Sequence, residues 1–262
     1  DLGKIRGADM EAWLPRMRNP RNALLAIVGK VSRHEGEQLA RKWFGSWKGL
    51  PEALPFALPA VPPPRKTIGI EGRPIIVNRD GGDAQVLLAL ACRLPAAQHG
   101  SRATYQLLAS ALNGHLNTMV RYRAGAAYSV SSQVNFRSGG AADLWVTMDL
   151  ETRRLSEALA AVRTLWTRLG NEGFDPGTVS QARWALATGS NLRYGTSAEV
   201  VLSVLENWSL GWPVNGLATY PTELRNSKPE DLTGPFRTCR ESTVSLVLGE
   251  KAVVEGALAA QR

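Results

Sequence analysis

One pattern of secondary-structure signals occurs twice in this sequence, and it constrains the fold more than any other feature. Residues Asn22 to Lys30 predict a buried strand closed by a glycine, and Ser242 to Glu250 repeat the same shape. A polar, helix-compatible stretch precedes each strand, and an alanine-rich helical stretch follows each glycine. The two copies are separated by about the length of a whole domain. The repeat therefore predicts two homologous halves, with residues 1–50 representing the end of the first.

The helical stretches of the two copies are Ala8 to Arg18 and Glu35 to Trp43 in the first, and Pro229 to Arg240 and Val253 to Gln261 in the second. On this interpretation the sequence begins in the middle of a longer protein. A strand without neighbours exposes unpaired backbone N–H and C=O groups. We therefore expect the strand Asn22 to Val28 to pair within this chain or across an oligomer.

A proline-rich segment separates the first copy from the rest of the chain. Six of the fourteen residues from Pro51 to Pro64 are proline. Proline fixes φ and removes a backbone donor, which favours extended spacing over packed structure. Residues 51–64 are therefore predicted to be a linker, and the main domain is predicted to span residues 65–262.

The periodicity of apolar residues alternates between strand and helix within the main domain. Glycines 139 and 140 lie between two strand-like stretches, as a hairpin requires. Asp175 and Pro176 are typical of a helix start. The pattern predicts an α+β fold with a mixed, largely antiparallel sheet packed against helices. The strand-like stretches are Arg73 to Asn78, Ala84 to Cys92, Tyr128 to Phe136 and Leu144 to Leu150, and the helical stretches are Thr104 to Arg121 and Glu151 to Asn171.

The composition is that of an ordinary globular protein, with 44% hydrophobic and 21% charged residues. No apolar run is long enough to span a membrane as a helix. The net charge of +8 is spread along the chain without a basic block or a nucleic-acid-binding motif. These features argue against nucleic-acid binding and against a membrane span.

Cysteine and histidine usage offers no metal motif. Cys92 and Cys239 lie far apart in sequence and are interpreted as neither a disulfide framework nor a metal site, with Cys92 a small buried residue. Residues His34 to Gln38 begin like the H-E-x-x-H motif, but glutamine replaces the second histidine. His34 is predicted to be solvated and His99 to lie in a loop. We expect no metal site in this chain.

The segment from Arg121 to Tyr128 contains the best candidate functional residues. Gly125 suits the left-handed position after a helix that ends near Arg123, and a strand starts near Ala127. Arg121 and Tyr128 would then flank one turn and could serve one site, as a charged donor fork and a phenolic donor. Their chemistry alone favours another interpretation, in which the arginine complements the helix end and the tyrosine packs with its hydroxyl at the surface.

The run Arg121-x-x-x-Gly125-x-x-Tyr128 resembles the arginine–glycine–tyrosine motif in the C-terminal half of insulinase/pitrilysin zinc proteases. The stretch Asn22 to Trp47 resembles the end of that family's N-terminal half, and Asp83-Ala-Gln85 and Asp175-Pro176 also fit. The resemblance extends over essentially the whole chain. It implies a clamshell of two similar halves, in which the zinc-bearing half carries an inverted H-x-x-E-H motif.

By this resemblance, residues 65–262 would be the substrate-binding C-terminal half, preceded by the tail of the N-terminal half. Arg121 would hold the substrate, Tyr128 would donate to the carbonyl as it becomes an oxyanion, and Gly125 would support the turn between them. The partners would be a zinc-bearing half or subunit and an unfolded peptide, with a homo-oligomer also open. We expect zinc on the other half and no peptidase activity from this chain alone.

An inert scaffold subunit of a larger assembly is the alternative that the sequence leaves open. The arginine-rich, alanine-rich usage indicates a bacterial source, in either periplasm or cytoplasm.

Overall fold

The computed structural model describes residues 2–49, 67, 69–79 and 84–259. The proposed linker, residues 51–64, lies outside the described residues, as do Asp83 and the end of the last helical stretch. No helix in the described part of the chain is long and apolar enough to cross a membrane.

A five-stranded mixed sheet forms the centre of the main domain. The strands are β1 (Ile75–Asn78), β2 (Gln85–Arg93), β3 (Ala127–Arg137), β4 (Ala141–Glu151) and β5 (Val244–Gly249). Their order in the sheet is β1-β5-β2-β4-β3. Among these strands β1 and β5 pair in parallel, and the other three pairings are antiparallel. The α+β prediction with a largely antiparallel mixed sheet is confirmed.

Nine α-helices occur in the described residues. The helices are α1 (Gly7–Met17), α2 (Arg33–Phe44), α3 (Arg102–Leu116), α4 (Leu155–Glu172), α5 (Pro176–Arg193), α6 (Ser197–Ser209), α7 (Gly216–Asn226), α8 (Pro229–Ser242) and α9 (Lys251–Ala259). The predicted helices before and after each strand-like stretch of the repeat are present. Asp175 caps α5 by accepting a 2.7 Å hydrogen bond from the Thr178 backbone N–H.

The core lies between one face of the sheet and a layer of helices. Alternate residues of β2 and β4 point into it, because successive strand residues face opposite sides. Leu88 and Met148 are opposite each other in the ladder and are both fully buried. Helices α3, α4 and α8 supply the other side of the core, where Trp166 of α4 meets Phe236 of α8 edge to face. The result is a two-layer domain.

The hairpin between β3 and β4 follows the sequence prediction. Gly139 and Gly140 both have φ of +87°, a region that residues with a Cβ rarely adopt. Phe136 lies opposite Ala142 on either side of this turn. The glycine pair therefore sets the register that places the start of β3 beside the end of β4.

The predicted strand from Asn22 to Val28 is not formed. A short 3₁₀ turn spans Pro20–Asn22, and residues 23–28 pair with no strand among the described residues. Pairing within this chain is therefore not found among the described residues, and pairing across an oligomer stays a prediction. The physical reason is that a strand requires a neighbouring edge for its backbone hydrogen bonds, and no described strand lies beside this segment.

The interpretation of the cysteines also needs correction. Cys92 is buried as predicted, but it forms a disulfide with Cys239, with a Cα–Cα distance of 4.9 Å. Cys92 lies near the end of β2 and Cys239 in the last turns of α8, which packs across that strand. The spacing of 147 residues could not indicate this bridge, because only the tertiary packing brings the two elements together.

We expect the double variant Cys92→Ala/Cys239→Ala to lose about 2–4 kcal/mol of unfolding free energy, because the bridge constrains a long loop in the unfolded chain. Urea denaturation followed by tryptophan fluorescence would measure the loss. The oxidised protein without reductant is the reference. Two free thiols in the native, unreduced protein would contradict the bridge.

His115 is a buried histidine of α3 that packs against Phe174. Its Nε2 has no hydrogen-bond partner among the described atoms. Burial lowers the pKa of His115, the positive charge of Arg168 lowers it further, and Asp175 opposes both. The folded state therefore favours the neutral imidazole.

The unfolded chain gains a proton at His115 near pH 6.5, whereas the folded chain resists protonation. The contribution of neutral His115 to the unfolding free energy is complete above that pH and is lost as the pH falls below it. We expect the unfolding free energy to decline below about pH 6.5, and the decline to be shallower in His115→Leu. His34→Gln is the matched exposed control. Parallel pH profiles for the wild type and His115→Leu would contradict this assignment.

Candidate functional site

The segment from Arg121 to Tyr128 connects the helical layer to the edge of the sheet. It begins at the end of α3, passes through Gly125 and enters β3 at Ala127. The helix is anchored here by Val120, which is fully buried. Because both flanking elements belong to the core, the segment between them is held at both ends.

The last helical turns widen from α-helical to π-helical geometry over Asn117–Arg123. The backbone N–H of Ala124 donates to the carbonyl of Met119, five residues earlier, at 3.1 Å. The hydroxyl of Thr118 donates to the Gly114 carbonyl at 3.0 Å, which competes with the regular helical pattern. Single π-helical turns are frequent at functional sites.

Gly125 occupies the left-handed region that the sequence predicted, with φ of +60°. A Cβ at this position would meet no atom within 4 Å. Backbone conformation, rather than a lack of space, therefore favours glycine here. The backbone N–H of Ala126 closes the turn by donating to the carbonyl of Val120 at 2.9 Å.

Arg121 lies on the exposed side of this helix end. Its guanidinium carbon is 5.5 Å from the centre of the neighbouring Tyr122 ring. It forms no ion pair with any residue in the described ranges. The carbonyl of Ala124 at the helix end instead accepts a 3.2 Å hydrogen bond from Arg154. Arg121 therefore keeps its donor groups exposed to solvent.

Tyr128 lies in a β-bulge at the start of β3. Ala127 pairs with Leu150 and Ser129 with Asp149, so Tyr128 is the extra residue on the bulged strand. A bulge interrupts the ladder and changes the direction of a side chain. The Tyr128 side chain is accordingly 52% exposed, whereas Val130, Val134 and Phe136 of the same strand pack against the core. The bulge therefore removes Tyr128 from the face that these three side chains share.

The hydroxyl of Tyr128 donates a 2.9 Å hydrogen bond to Oε1 of Glu151. Nε of Arg153 donates to the other oxygen of the same carboxylate. The hydrogen bond to Glu151 raises the pKa of Tyr128, while the positive charge of Arg153 opposes the shift. Hydrogen bonds from Arg153 and Tyr128 lower the pKa of Glu151. The phenol is therefore held in its protonated, donating form.

The structure places Arg121 and Tyr128 at opposite ends of one short exposed segment without direct contact. Arg121 meets Tyr122, and Tyr128 bonds to Glu151. A bound molecule, such as an extended peptide lying along the turn, could accept hydrogen bonds from both side chains.

Comparison with known families identifies the domain. The family model described as the peptidase M16 inactive domain matches residues 4–186. The chain belongs to the peptidase M16 family. It is an inactive M16 domain of the kind found in zinc-protease-like proteins. The predicted membership of the insulinase/pitrilysin family is confirmed.

Solved structures share the M16 fold at low sequence identity. A peptidase M16 inactive domain from Pseudomonas fluorescens is 18% identical with a TM-score of 0.75, covering 95% of this chain and 58% of that one. A protease from Helicobacter pylori is 18% identical with a TM-score of 0.75, covering 94% and 60%. The periplasmic protease PqqL from Escherichia coli is 14% identical with a TM-score of 0.66, covering 86% and 25%. This chain thus spans about 60% or less of the length of these proteins. No curated protein matches the sequence.

The histidines of this M16 domain are dispersed. His34 is exposed on α2, and its Nε2 lies 2.9 Å from Nε2 of Gln38. His99 opens a short 3₁₀ turn rather than an irregular loop, with Nδ1 3.5 Å from Glu223. Within the described ranges, no group of three or more histidine, cysteine or acidic side chains could hold a metal ion. A zinc site would need such a group.

Sequence reasoning missed Glu151, which accepts the hydrogen bond of Tyr128, and Arg153, which donates to Glu151. A signal for Glu151 existed in the hairpin register. In a hairpin without a bulge, pairing Phe136 with Ala142 would place Tyr128 opposite Leu150, which is next to Glu151. The bulge shifts this pairing by one residue, to Ala127. No comparable signal existed for Arg153, because its position depends on the turn that follows β4.

Replacing Glu151 with glutamine should lower the pKa of Tyr128 towards its ordinary value of about 10, because the amide still accepts a hydrogen bond but carries no charge. Spectrophotometric titration of tyrosinate would measure the shift, with Tyr128→Phe identifying the transition that belongs to Tyr128. Asp149→Asn is a control, since that carboxylate bonds to Ser129. An unchanged titration in Glu151→Gln would contradict an effect of the Glu151 charge on the pKa of Tyr128.

Proposed function

We propose that this chain is the non-catalytic, substrate-binding half of an M16 zinc metalloendopeptidase. In this role Arg121 and Tyr128 bind an extended peptide at a zinc site carried by the other half or by a partner subunit. Residues 65–262 constitute the substrate-binding half, residues 51–64 link it to the preceding segment, and residues 1–50 are the end of an upstream homologous half. The observation that carries the proposal is that one turn carries both the exposed guanidinium of Arg121 and the Tyr128 hydroxyl, which its bond to Glu151 keeps protonated and donating.

The surroundings of Arg121 support a binding role over a structural one. An arginine near a helix C-terminus can stabilise the exposed carbonyl groups of the last turn. In this chain Arg154 donates to the Ala124 carbonyl at that position. Arg121 remains exposed, with a permanent charge and a planar donor fork suited to carbonyl or carboxylate oxygens. A peptide backbone or carboxylate fits that chemistry.

The setting of Tyr128 supports transition-state assistance. The bulge directs its side chain away from the core, and the bond to Glu151 holds the hydroxyl as a donor. A substrate carbonyl would take the place of Glu151 as acceptor when it becomes an oxyanion, because donors aimed at developing charge favour the transition state. Exchange of one acceptor for another keeps the phenol protonated throughout.

The proposal assigns zinc to the other half. Zinc would polarise the scissile carbonyl and supply an activated water there, and the present chain contributes positioning and hydrogen-bond donors. Unfolded peptides are the substrate class that suits an extended surface beside this turn. We expect no peptidase activity when the chain is assayed alone.

The proposal is tested by reconstituting the chain with the zinc-bearing M16 half and measuring cleavage of an unfolded peptide. Tyr128→Phe should lower kcat about 100-fold, as expected for the loss of one oxyanion donor. Arg121→Ala should lower kcat/KM by about 10- to 100-fold, because substrate positioning is lost. Both side chains are exposed, so neither variant should change the melting temperature appreciably.

The neighbouring residues provide matched controls. Tyr122→Phe and Arg123→Ala change the same residue types in the same exposed turn, and both should retain wild-type turnover. If Arg121→Ala and Tyr128→Phe also retain full turnover, the substrate-binding role is wrong. The alternative of an inert scaffold subunit would then apply.

A further inference from the structure

The face of the sheet that points away from the helices carries a row of polar side chains on β3. Val130, Val134 and Phe136 pack against the core, and the residues between them point to the opposite face, because successive strand residues alternate. These side chains are exposed, and only the last of them is charged. They are Ser129, Ser131, Gln133, Asn135 and Arg137. This polar row is therefore a line of neutral hydrogen-bonding groups that ends in a cation.

The proposed site lies at the other end of the polar row. Glu151, which accepts the hydrogen bond of Tyr128, lies on the same face of β4 as Asp149, which accepts a bond from Ser129. Leu150 between them is fully buried on the core face. The Tyr128 hydroxyl is therefore held on the face of the sheet along which the polar row runs.

Two arginines meet one aspartate at the charged end of the row. An Nη of Arg137 lies 2.9 Å from one carboxylate oxygen of Asp143, and Nε of Arg93 on β2 donates to the other oxygen. Asp143 is buried, whereas the side chain of Arg137 is 59% exposed and that of Arg93 is 27% exposed. Because two guanidinium cations share one carboxylate, this arginine pair keeps one uncompensated positive charge.

The arginine pair also keeps donor groups that Asp143 does not use. Nε of Arg137 and both Nη groups of Arg93 form no hydrogen bond to any residue in the described ranges. A guanidinium binds a carboxylate through two parallel N–H donors, which gives both charge and geometric selectivity. The bonds to Asp143 hold both side chains in place, which reduces the ordering that a further anion would require.

We propose that Arg93 and Arg137 bind a carboxylate of the substrate peptide at a distance from the scissile bond. The proposal rests on the proposed function, in which Tyr128 contacts the scissile carbonyl. From Tyr128 to Arg137 the strand spans about 30 Å, at about 3.3 Å per residue. An extended peptide covers that distance with about nine residues. The carboxylate belongs to the C-terminus of the peptide or to an aspartate or glutamate side chain at that position.

The neutral groups of the polar row account for the rest of the selectivity. Serine, glutamine and asparagine side chains donate and accept hydrogen bonds, so they match a peptide backbone of any sequence. The arginine pair then selects peptides by the position of a negative charge rather than by the residues at the cleaved bond.

The test uses this chain reconstituted with the zinc-bearing M16 half and pairs of peptides that differ only in a C-terminal carboxylate or amide. The carboxylate should lower KM about 10-fold with kcat unchanged, because a remote contact is made equally before and during the reaction. The effect should be largest with about nine residues after the scissile bond and absent with about five. Longer amidated peptides with glutamate or glutamine at the same position measure the contribution of a side-chain carboxylate.

Variants of the exposed arginine provide the matching change in the protein. Arg137→Gln should remove the difference between the carboxylate and amide peptides, whereas Arg137→Lys should retain part of it, because lysine keeps the charge but not the donor fork. Asp143 stays paired with Arg93 in both variants, and circular dichroism should confirm that they fold. Arg225→Gln, an exposed arginine of α7, is the control and should behave as the wild type.

Equal KM values for all carboxylate and uncharged peptides, at every length and in wild-type protein, would overturn the proposal without any variant. A carboxylate preference that persists in Arg137→Gln would also overturn it. Loss of turnover in Tyr128→Phe without any carboxylate preference would retain the proposed function and reject only the arginine pair. Fluorescence anisotropy of labelled peptides with this chain alone covers the reverse case. A carboxylate preference in that binding, together with full turnover in Tyr128→Phe and Arg121→Ala, would retain the arginine pair and reject the proposed function.

Discussion

The position of β5 between β1 and β2 is the constraint on which the rest of the domain depends. It joins a strand from near the end of the chain to two strands from the beginning of the main domain. The helix before it, α8, is thereby laid across the core, where Cys239 meets Cys92 and Phe236 meets Trp166. Without this pairing β1 would have no neighbour, because β5 is its partner in the sheet.

The candidate site depends on the same architecture at the opposite edge of the sheet. Strand β4 pairs with β2 on one side and with β3 on the other. This fixes Glu151 beside the bulge that carries Tyr128, while α3 is held by its buried residues up to Val120. The turn around Gly125 is short and anchored at both ends. The scaffold therefore fixes the backbone positions of Arg121 and Tyr128.

Several parts of the fold could be predicted because they depend on local chemistry. Gly139 and Gly140 predicted the hairpin, Asp175 and Pro176 predicted the start of α5, and Gly125 predicted the left-handed turn, since each reflects the conformational preference of one or two residues. The family was predicted from the order of these signals along the chain, and the match to the M16 inactive domain confirmed it.

Other parts could not be predicted because they depend on contacts between distant residues. The sheet order and the Cys92–Cys239 bridge arise from packing that no sequence spacing encodes. The stretch from Asn22 to Val28 shows the limit most clearly. Its sequence favours a strand, but strand formation requires neighbours that the described residues do not supply.

The sequence by itself therefore determined the glycine turns, the start of α5 and the family, because these follow from local propensity and from the order of motifs. Only the tertiary structure decided which strands pair, which cysteines bond and which acceptor holds the Tyr128 hydroxyl. The physical reason is that hydrogen-bonded ladders and buried contacts form between residues far apart in the chain, and their geometry exists only after the elements have packed.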